Sequence, residues 1–562
     1  MKKLRILFTL MVTLCLSVLL TSCARTTSSE NWDLAAKEID IIKAQSPENC
    51  PATAEGRNDT VIIGTSECNG VFNPLYNETA FDMNVTSLVF DGMVEADYNA
   101  VPIPGMADFQ ISADGLTYSF TLKDGLKFSN GIPVTAEDVE FTIYALCDPN
   151  YDGPYDSASI GIAGYEDYVT GDADSISGIK VLDEKNIQFT LEKPNGQAIW
   201  FFGVGILSKN YYGKDFERGH LETIKAFNDQ PMGSGQYKLV EYNLGESLIL
   251  AAHDTYWKGT PKIKNIIFSV TPPGQEVERL MTGEVDIDFP AVNQDTVNAA
   301  VNAGFIDIYR YPTNGYSYVG MNLIDDKYQD QKVRQALIYG LNRQAVVESV
   351  FGPYANVINI PQSRVSWAYD EAGINPYNFN LEKAAALLTE AGWEKDGSGK
   401  LTKDGRNFKI TFSTSEGNPF TDVMIPVMQE DYGKLGIDIE FEYLDFMALI
   451  GKVLAGEADM WFLAWDLAAD PDDGSYKSDG AQNLFSYANP EVDLLWEQGV
   501  KELDRSKRKE IYSQVYRKLN QDIPCIWLYQ RSDMWLVNCR IKDFKVSPYR
   551  NWTYDMWQME IQ

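Results

Sequence analysis

The side chains most often used for catalysis and metal binding are few or poorly placed in this chain of 562 residues. His220 and His253 are its two histidines, and neither has a second ligand residue at the spacing of a zinc or nickel site. The segment Ser506-Lys507-Arg508-Lys509 has the S-x-x-K spacing of a serine nucleophile with a lysine base, but no S-D-N or K-T-G motif accompanies it. We therefore expect no metal, no cofactor and no enzyme activity, and we interpret Ser506–Lys509 as the solvated cap and face of a helix.

Two other stretches resemble ligand-binding motifs only in part. In DPDDG, at residues 470–474, the glycine falls one place early for an EF-hand loop, and no glutamate follows at the twelfth position. Gly233-Ser234-Gly235 lacks the Lys-Ser/Thr of a phosphate-binding loop. A secreted peptidase or glycosidase stays open as a rival class, because paired carboxylates carry no information in a chain with 80 acidic residues.

The cysteines pose a question of pairing. Cys147 belongs to the apolar face of a helix that Thr135 and Asp138 would cap, so we expect a buried free thiol there. PCIWLYQRSDMWLVNC suggests two strands around a turn at residues 531–533, which would place Cys525 opposite Cys539. A disulfide can form between these two in that register, but a shift of the strand pairing by one residue would place them on opposite faces and exclude it. Cys50 with Cys68 is a weaker pair.

The N-terminus has the composition of a secretory signal. Three cationic side chains precede an apolar stretch of secretory length from Ile6 to Leu20, which is short for a membrane span. Leu20-Thr21-Ser22-Cys23 resembles the bacterial lipobox, in which the cysteine is acylated and becomes the new N-terminus. We expect a lipoprotein signal peptide at 1–22 and lipid attachment, palmitate included, at Cys23; the alternative is a plain signal peptide with Cys23 incidental. The mature protein would then be anchored at the extracytoplasmic face of the cell membrane.

Composition limits the partners. A formal net charge of −32 argues against binding nucleic acid and against broad contact with anionic lipid. Aromatic residues make up 12% of the chain, which suits a large core or a cleft that encloses apolar ligand surface. The length predicts two or three domains.

Strands and helices alternate along the chain. Residues 60–65 have the pattern of a strand. Residues 117–129 have the pattern of a hairpin, in which alternating Tyr118, Phe120 and Leu122 precede an Asp124-Gly125 turn. Helices become commoner after about residue 310, including one that Asn380 would cap. This mixture predicts an α/β chain of at least two lobes.

Eight segments resemble, in order, the family 5 extracellular solute-binding proteins, the peptide/nickel-type receptors of ABC importers. They are LVFDGMVEAD (88–97), GLTYSFTLKDGLKFSNGIPVTAEDVEFT (115–142), MGSGQYKL (232–239), GEVDIDF (283–289), YVGMN (318–322), KVRQALIYGLNR (332–343), AAALLTEAGW (384–393) and YANPEVDLL (487–495). Each one is a weak signal, but eight in sequence over nearly the whole mature chain are specific.

The resemblance implies a two-lobed periplasmic-binding-protein-like α/β fold of type II, in the large class with an extra subdomain in the first lobe and a hinge-closing cleft. We expect a flexible lipidated tether at 23–57, the first lobe at 58–310 with its subdomain at about 101–225, the second lobe at 311–519, and a return to the first lobe at 520–562. The implied function is capture of oligopeptides or peptide-sized solutes and their delivery to membrane permease subunits. Oligosaccharides and chelated metals are the alternative ligands, and a monomer is expected.

The resemblance also suggests ligand contacts. In the dipeptide and oligopeptide receptors, an Asp in a W-x-x-D-type loop pairs with the terminal ammonium of the ligand. In FLAWDLAADPDDGSY (462–476) that register falls on Leu467, and Asp466 is one position early. Trp465 is expected either to pack against the ligand or to belong to the lobe core. Tyr76 and Tyr316 are candidates of lower rank.

Overall fold

The computed structural model describes residues 38–77, 79–471 and 474–562. The predicted signal peptide and Cys23 lie outside these residues. Within them, no helix is both long and apolar enough to cross a membrane.

The strands are short in the first part of the chain and longer near its middle and end. They are β1 (Asp40–Ile42), β2 (Thr60–Thr65), β3 (Val94–Ala96), β4 (Pro102–Pro104), β5 (Ala107–Ile111), β6 (Thr117–Leu122), β7 (Ile179–Val181), β8 (Asn186–Thr190), β9 (Tyr237–Asn243), β10 (Ser247–Ala252), β11 (Asn265–Val270), β12 (Ile287–Asp288), β13 (Ile306–Pro312), β14 (Gly315–Met321), β15 (Ala355–Val357), β16 (Glu394–Lys395), β17 (Leu401–Lys403), β18 (Arg406–Asn407), β19 (Lys409–Ser415), β20 (Asp438–Leu444), β21 (Met460–Asp466), β22 (Cys525–Asn538), β23 (Ile541–Lys542) and β24 (Glu560–Ile561).

The longest helices follow residue 320. The helices are α1 (Ala52–Glu55), α2 (Ala80–Val89), α3 (Ala136–Leu146), α4 (Ser157–Ile160), α5 (Tyr165–Thr170), α6 (Ala198–Phe201), α7 (Lys209–Tyr212), α8 (Glu222–Lys225), α9 (Glu276–Thr282), α10 (Gln294–Ala303), α11 (Asp326–Gln329), α12 (Gln331–Tyr339), α13 (Arg343–Phe351), α14 (Leu381–Glu390), α15 (Pro419–Leu435), α16 (Phe446–Leu454), α17 (Pro490–Lys501) and α18 (Arg505–Asp522), with 3-10 turns at Pro47–Asn49, Gly352–Tyr354 and Trp552–Gln558.

One large sheet extends through both halves of the molecule. Its main path is β20-β19-β21-β14-β22-β12-β2-β11-β10-β9, with β13 and β15 also paired to β22 and β1 paired to β13. The long strand β22 joins the halves, because its first part pairs with β14 and its second part with β13. A separate four-stranded sheet, β5-β6-β8-β7, packs with the first half.

The hydrophobic core is divided in the same way. A first cluster contains residues between 61 and 309 and returns at Trp535. A second cluster runs from Tyr316 to Tyr529. Residues 523–529 therefore belong to the second half, and the return expected at 520 occurs later, in the middle of β22.

The predicted hairpin between Cys525 and Cys539 is wrong, and the disulfide with it. Residues 525–538 form one continuous strand, whose ends lie on the order of 45 Å apart at the usual rise per residue. A disulfide needs Cα atoms within about 7 Å. Cys525 is buried in the second cluster and Cys539 in a small third cluster, both as free thiols. Polar residues 531–533 mark the crossing between halves instead of a turn.

The weaker pair is wrong too. Cys68 packs in the first cluster, whereas Cys50 packs on the third and its Sγ lies 3.3 Å from Nδ2 of Asn538. Both are free thiols, so the structure places these two cysteines in different cores.

The expected tether at 23–57 is ordered in its C-terminal part. Strand β1 pairs with β13, and Lys43 Nζ lies 2.9 Å from the Asp307 carboxylate. Arg57 Nη2 lies 2.8 Å from the carboxylate of the buried Asp286. These ion pairs and the strand pairing fix residues 40–57 against the first half.

The local predictions had mixed outcomes. The capping box of Thr135 and Asp138 at the start of α3 is confirmed, as is the buried Cys147 thiol that follows this helix. Asn380 caps α14 by accepting a hydrogen bond from the Lys383 amide, as expected. The hairpin after Asp124-Gly125 is wrong, because β6 pairs with β5 and β8 instead.

Candidate functional site

A cavity of about 1190 Å³ lies between the two halves, beside the crossing strands. The C-terminal ends of β2 and β12 reach it from the first half, and the C-terminal end of β21 reaches it from the second. Ligand sites of open α/β sheets are commonly found beyond the carboxyl ends of the strands. The sheet topology thus brings side chains distant in sequence to one cleft.

Aromatic side chains form much of the cavity wall. Trp465 of β21 stacks on Tyr318 of β14, with ring centroids 6.2 Å apart and planes inclined by 18°. On the other side, the rings of Phe289 and Trp535 lie 4.6 Å apart. Such rigid rings offer apolar contact area at low cost in side-chain entropy, so both walls suit enclosure of a ligand.

A pair of carboxylates stands where the chain crosses between halves. Asp533 follows the crossing in β22, and Asp466 ends β21; both line the cavity. Burial raises the pKa of Asp533 to about 6, with Arg531 opposing and Asp466 reinforcing the shift. The Nε atom of Arg531 lies 3.6 Å from the Asp533 carboxylate, and its side chain is largely exposed. Asp533 is therefore paired with one loosely held cation, and among the described residues no ion pair includes Asp466.

A further carboxylate lies on the first-half wall. Asp288 is 3% exposed and accepts hydrogen bonds from Thr271 Oγ1 at 2.9 Å and from the Phe289 amide at 2.8 Å. Burial raises the pKa of Asp288 to about 6; Glu276 adds to the shift and Arg279 opposes it. The cavity thus has an acidic group on each wall.

The second arginine of the wall is already paired. Arg550 Nη1 lies 3.1 Å from Glu95 and its Nη2 lies 3.2 Å from Asp555, and these partners raise the pKa of Arg550 against the effect of burial. Arg550 therefore brings little positive charge to the cavity, whose four acids (Glu276, Asp288, Asp466 and Asp533) leave it negative.

The structure brings three of the four expected contact residues to this cavity. Trp465, Asp466 and Tyr316 line it, and Trp465 also packs against the second core. Tyr316 donates to or accepts from the Tyr476 hydroxyl at 2.9 Å and is buried. Tyr76 is not among the lining residues: it is buried, and its ring packs on Tyr151 with centroids 5.6 Å apart.

Sequence reasoning missed Asp288 and Asp533. Asp533 interrupts an apolar run, and this interruption resembled a turn. Asp288 ends the short buried strand β12, a position at which a polar residue often faces a cleft. That position was the signal available in the sequence, but only the fold distinguishes Asp288 from the many other acidic residues.

The remaining candidates do not build a reactive site. His220 is exposed beside Glu222, and His253 is buried with Nδ1 2.9 Å from the Gly235 carbonyl oxygen. Among residues 38–77, 79–471 and 474–562, no group of three His, Cys, Asp or Glu side chains is placed to hold a metal ion. Ser506 lies in the first turn of α18, which Asp504 caps, in agreement with the interpretation of this segment.

The sequence of this chain matches a family model. The model of the bacterial extracellular solute-binding proteins, family 5 Middle, covers residues 101–484, which is more than half of the chain. The chain belongs to this family. As a family 5 solute-binding protein, it shares a two-lobed fold with solved members.

Individual family 5 relatives extend the match. The oligopeptide-binding protein AppA of Bacillus subtilis is 26% identical over 556 residues, covering 97% of both chains. The heme-binding protein A of Haemophilus influenzae is 25% identical, covering 88% of this chain and 91% of its own length. The structure of AppA from Bacillus subtilis in complex with a nonapeptide superposes with a TM-score of 0.75 at 25% identity, covering 90% of this chain and 99% of that one. The family and these relatives are binding proteins.

Proposed function

We propose that this protein is the receptor of an ABC importer, that it captures oligopeptides outside the cytoplasmic membrane, and that it delivers them to the membrane permease. The cavity between the halves carries the proposal. Its volume of about 1190 Å³ exceeds the roughly 300–1,000 Å³ of most small-molecule pockets, and it combines aromatic walls with charged groups. A peptide of several residues matches both features.

Two comparisons bear on the ligand class. The Bacillus relative is named for oligopeptides, and its solved structure contains a nonapeptide. The Haemophilus relative is named for heme. We favour a peptide, because the acidic groups and aromatic walls of this cavity suit the terminal ammonium and the side chains of a peptide.

Specific residues have roles in this proposal. Asp466 and Asp533 take the terminal ammonium of the peptide, since both carboxylates line the cavity and the one described cation near them, Arg531, is held loosely and only by Asp533. Trp465, supported by Tyr318, packs against the backbone or a side chain of the peptide. No step of hydrolysis is assigned to this chain; ATP hydrolysis belongs to partner subunits, and the receptor acts as a monomer.

Closure of the cleft is the proposed signal to the permease. Beyond the crossing strands, the halves also touch through Gly196, whose amide donates to the Val500 carbonyl oxygen at 2.8 Å, and through Gln197, whose Nε2 donates to the Pro471 carbonyl oxygen at 2.5 Å. A ligand that contacts both walls favours the state in which these contacts form, and the permease recognises that state.

Lipid at Cys23 would hold the receptor at the outer face of the membrane. Expression of the full chain in a host with lipoprotein processing should yield a membrane-bound protein with an acylated N-terminus. Cys23→Ser should appear in the soluble fraction; an equal membrane fraction for both would contradict the anchor.

Native mass spectrometry of the protein expressed from Ala24 onward tests the ligand class. A ladder of co-purifying peptide masses, released and sequenced, is the expected result. A single sugar or metal-chelate mass would contradict peptide capture. If the protein is isolated empty, calorimetric titration with a defined peptide library decides, and absence of binding across that library would refute the proposal.

A further inference from the structure

Asp288 is an unusual group for a cavity wall, because it is buried as a carboxylate without a cation of its own. Its described hydrogen bonds come from one hydroxyl and one amide, and no ion pair of the described residues includes it. A buried carboxylate is strongly disfavoured unless a positive charge compensates it. The question is what supplies that charge.

The nearest arginine does not supply it. Arg279 on α9 directs Nη1 to the Val270 carbonyl oxygen at 2.7 Å and to Thr271 Oγ1 at 2.8 Å, and Nη2 to Ser269 Oγ at 2.9 Å. Its Nε pairs with Glu284 at 3.2 Å. All its donor nitrogens are thus engaged, and Arg279 acts on Asp288 only through Thr271 and at longer range.

The backbone around Asp288 is shaped to admit its carboxylate. A Cβ atom at Gly64 of β2 would lie 2.0 Å from Asp288 Oδ2, so a glycine is needed there. Both Gly64 and Asp288 line the cavity, and Glu276 brings a second carboxylate to the same wall. The fold therefore provides a defined place for the Asp288 carboxylate in the cavity wall.

The surface beside Asp288 suits the stem of a long cationic side chain. Phe289 follows Asp288 directly, and its ring packs on Trp535, which also lines the cavity. The aliphatic part of a lysine or arginine packs well on such rings, and its charged end is attracted to their faces. A cation bound at Asp288 would have this apolar support.

A separate observation indicates that the ligand also offers hydrogen-bond acceptors. Trp552 lines the cavity and is 6% exposed, and its Nε1 donor has no partner among the described residues. A buried donor without an acceptor is costly. The carbonyl oxygens of a peptide are acceptors of the required kind.

We propose that the cavity selects peptides with a basic side chain, with Asp288 binding the lysine or arginine cation while Asp466 and Asp533, near the crossing between the halves, bind the terminal ammonium. This inference rests on the proposed function and narrows its substrate class. It assigns to the first-half wall a specificity role that the peptide backbone alone would not require. A free polyamine shares the two cationic groups but lacks the carbonyl acceptors.

Lysine and acetyl-lysine peptides provide the test, because they differ by one charge at nearly the same shape. A lysine-scanned set of short peptides is titrated calorimetrically against the protein from Ala24 onward, together with the acetyl-lysine form of each. We expect at least one lysine peptide to bind about 10-fold or more tightly than its acetylated form. The ratio should fall to about 1 in Asp288→Asn, with the affinity for the acetylated peptide retained as proof of an intact site.

Asp91 provides the matched control. Like Asp288, it is a buried carboxylate whose pKa is raised to about 6 by burial, but it does not line the cavity. Asp91→Asn should keep the wild-type ratio. Equal binding of the lysine and acetyl-lysine forms, or an unchanged ratio in Asp288→Asn, would overturn the inference and leave peptide capture standing. Binding of neither form would refute both, and spermidine displacing the peptides at lower concentration would replace the peptide by a polyamine.

Discussion

Acidification should weaken the binding of a basic peptide, because burial raises the pKa values of two cavity carboxylates close to neutral pH. The pKa of Asp288 and that of Asp533 are both raised to about 6. At about pH 7 each is roughly nine-tenths ionised, and at about pH 5 roughly one-tenth. If the cation needs one ionised carboxylate, the association constant falls about 10-fold, or about 1.4 kcal/mol; if both acids act, the fall is about 100-fold.

Burial is the main cause of both pKa shifts, and the charged groups that face these acids modify it. Glu276 and Arg279 act on Asp288, and Arg531 and Asp466 act on Asp533, in each case with opposite signs. The peptide itself hardly titrates in this range, since a lysine and a terminal ammonium are protonated below about pH 7. The change in affinity therefore reports on the protein.

Calorimetric titration between about pH 5 and about pH 7 measures the effect. The fall in the association constant between about pH 7 and about pH 5 should be about 10-fold smaller in Asp288→Asn than in the wild type. In Asp91→Asn it should equal that of the wild type. The acetyl-lysine peptide should show a smaller dependence, due to Asp533 alone. A flat profile for the lysine peptide, or tighter binding at the lower pH, would refute the reasoning.

The stability of the empty protein should change in the opposite direction. The folded pKa of Asp288 and of Asp533 is raised above the ordinary value of 3.8, so protonation favours the folded state. Their contribution to stability is complete below about pH 4 and is lost as the pH rises through about 6. Each shift corresponds to at most about 3 kcal/mol in the free energy of unfolding. The ligand-free protein should accordingly gain stability from these groups, and the bound peptide should stabilise it less, on moving from about pH 7 to about pH 5.

Three further predictions concern single positions. Gly64→Ala would place a Cβ on the carboxylate of Asp288 and should abolish the preference for lysine over acetyl-lysine in titration; a retained preference would show that the carboxylate can shift without loss. Asp470→Asn removes the partner of the buried Arg508 guanidinium and should cost about 3–5 kcal/mol in urea unfolding, whereas a loss below about 1 kcal/mol would contradict this. The Cys525 thiol, fully buried and with its pKa raised by that burial, should react with maleimide only in denaturant; labelling of the folded protein would be inconsistent with its position.

Local signals in the sequence were sufficient where the physics is local. The capping box of Thr135 and Asp138 and the cap at Asn380 depend on residues three apart, and both form as predicted. Trp465 and Asp466 reach the cavity, because they lie at the C-terminal end of β21, in the segment that the family resemblance pointed to. These features needed no knowledge of distant contacts.

Strand β22 shows where local signals fail. The triplet 531–533 is polar within a strongly apolar stretch, which in most proteins indicates a turn. Here the strand continues, and the triplet is polar because it passes the open cavity between two cores. Asp288 could not be predicted for the same reason. Its burial depends on contacts with Gly64 and Thr271, which are not neighbours of Asp288 in the sequence.

The ligand-free protein keeps two carboxylates in its cavity, Asp288 and Asp533, and it would be more stable with neutral side chains at these positions. This loss of stability serves binding only if the correct ligand removes it and other ligands do not. Closure around a neutral peptide would exclude the remaining water from Asp288 and Asp533 without compensation. Closure around a peptide with a terminal ammonium and a basic side chain pairs both. Discrimination between peptides then occurs mainly at closure of the cleft. A ligand without the matching cations lacks favourable contacts, and closure around it also desolvates the two carboxylates without pairing them. On this basis neutral peptides should bind to the open form and fail to drive the closed state that the permease recognises.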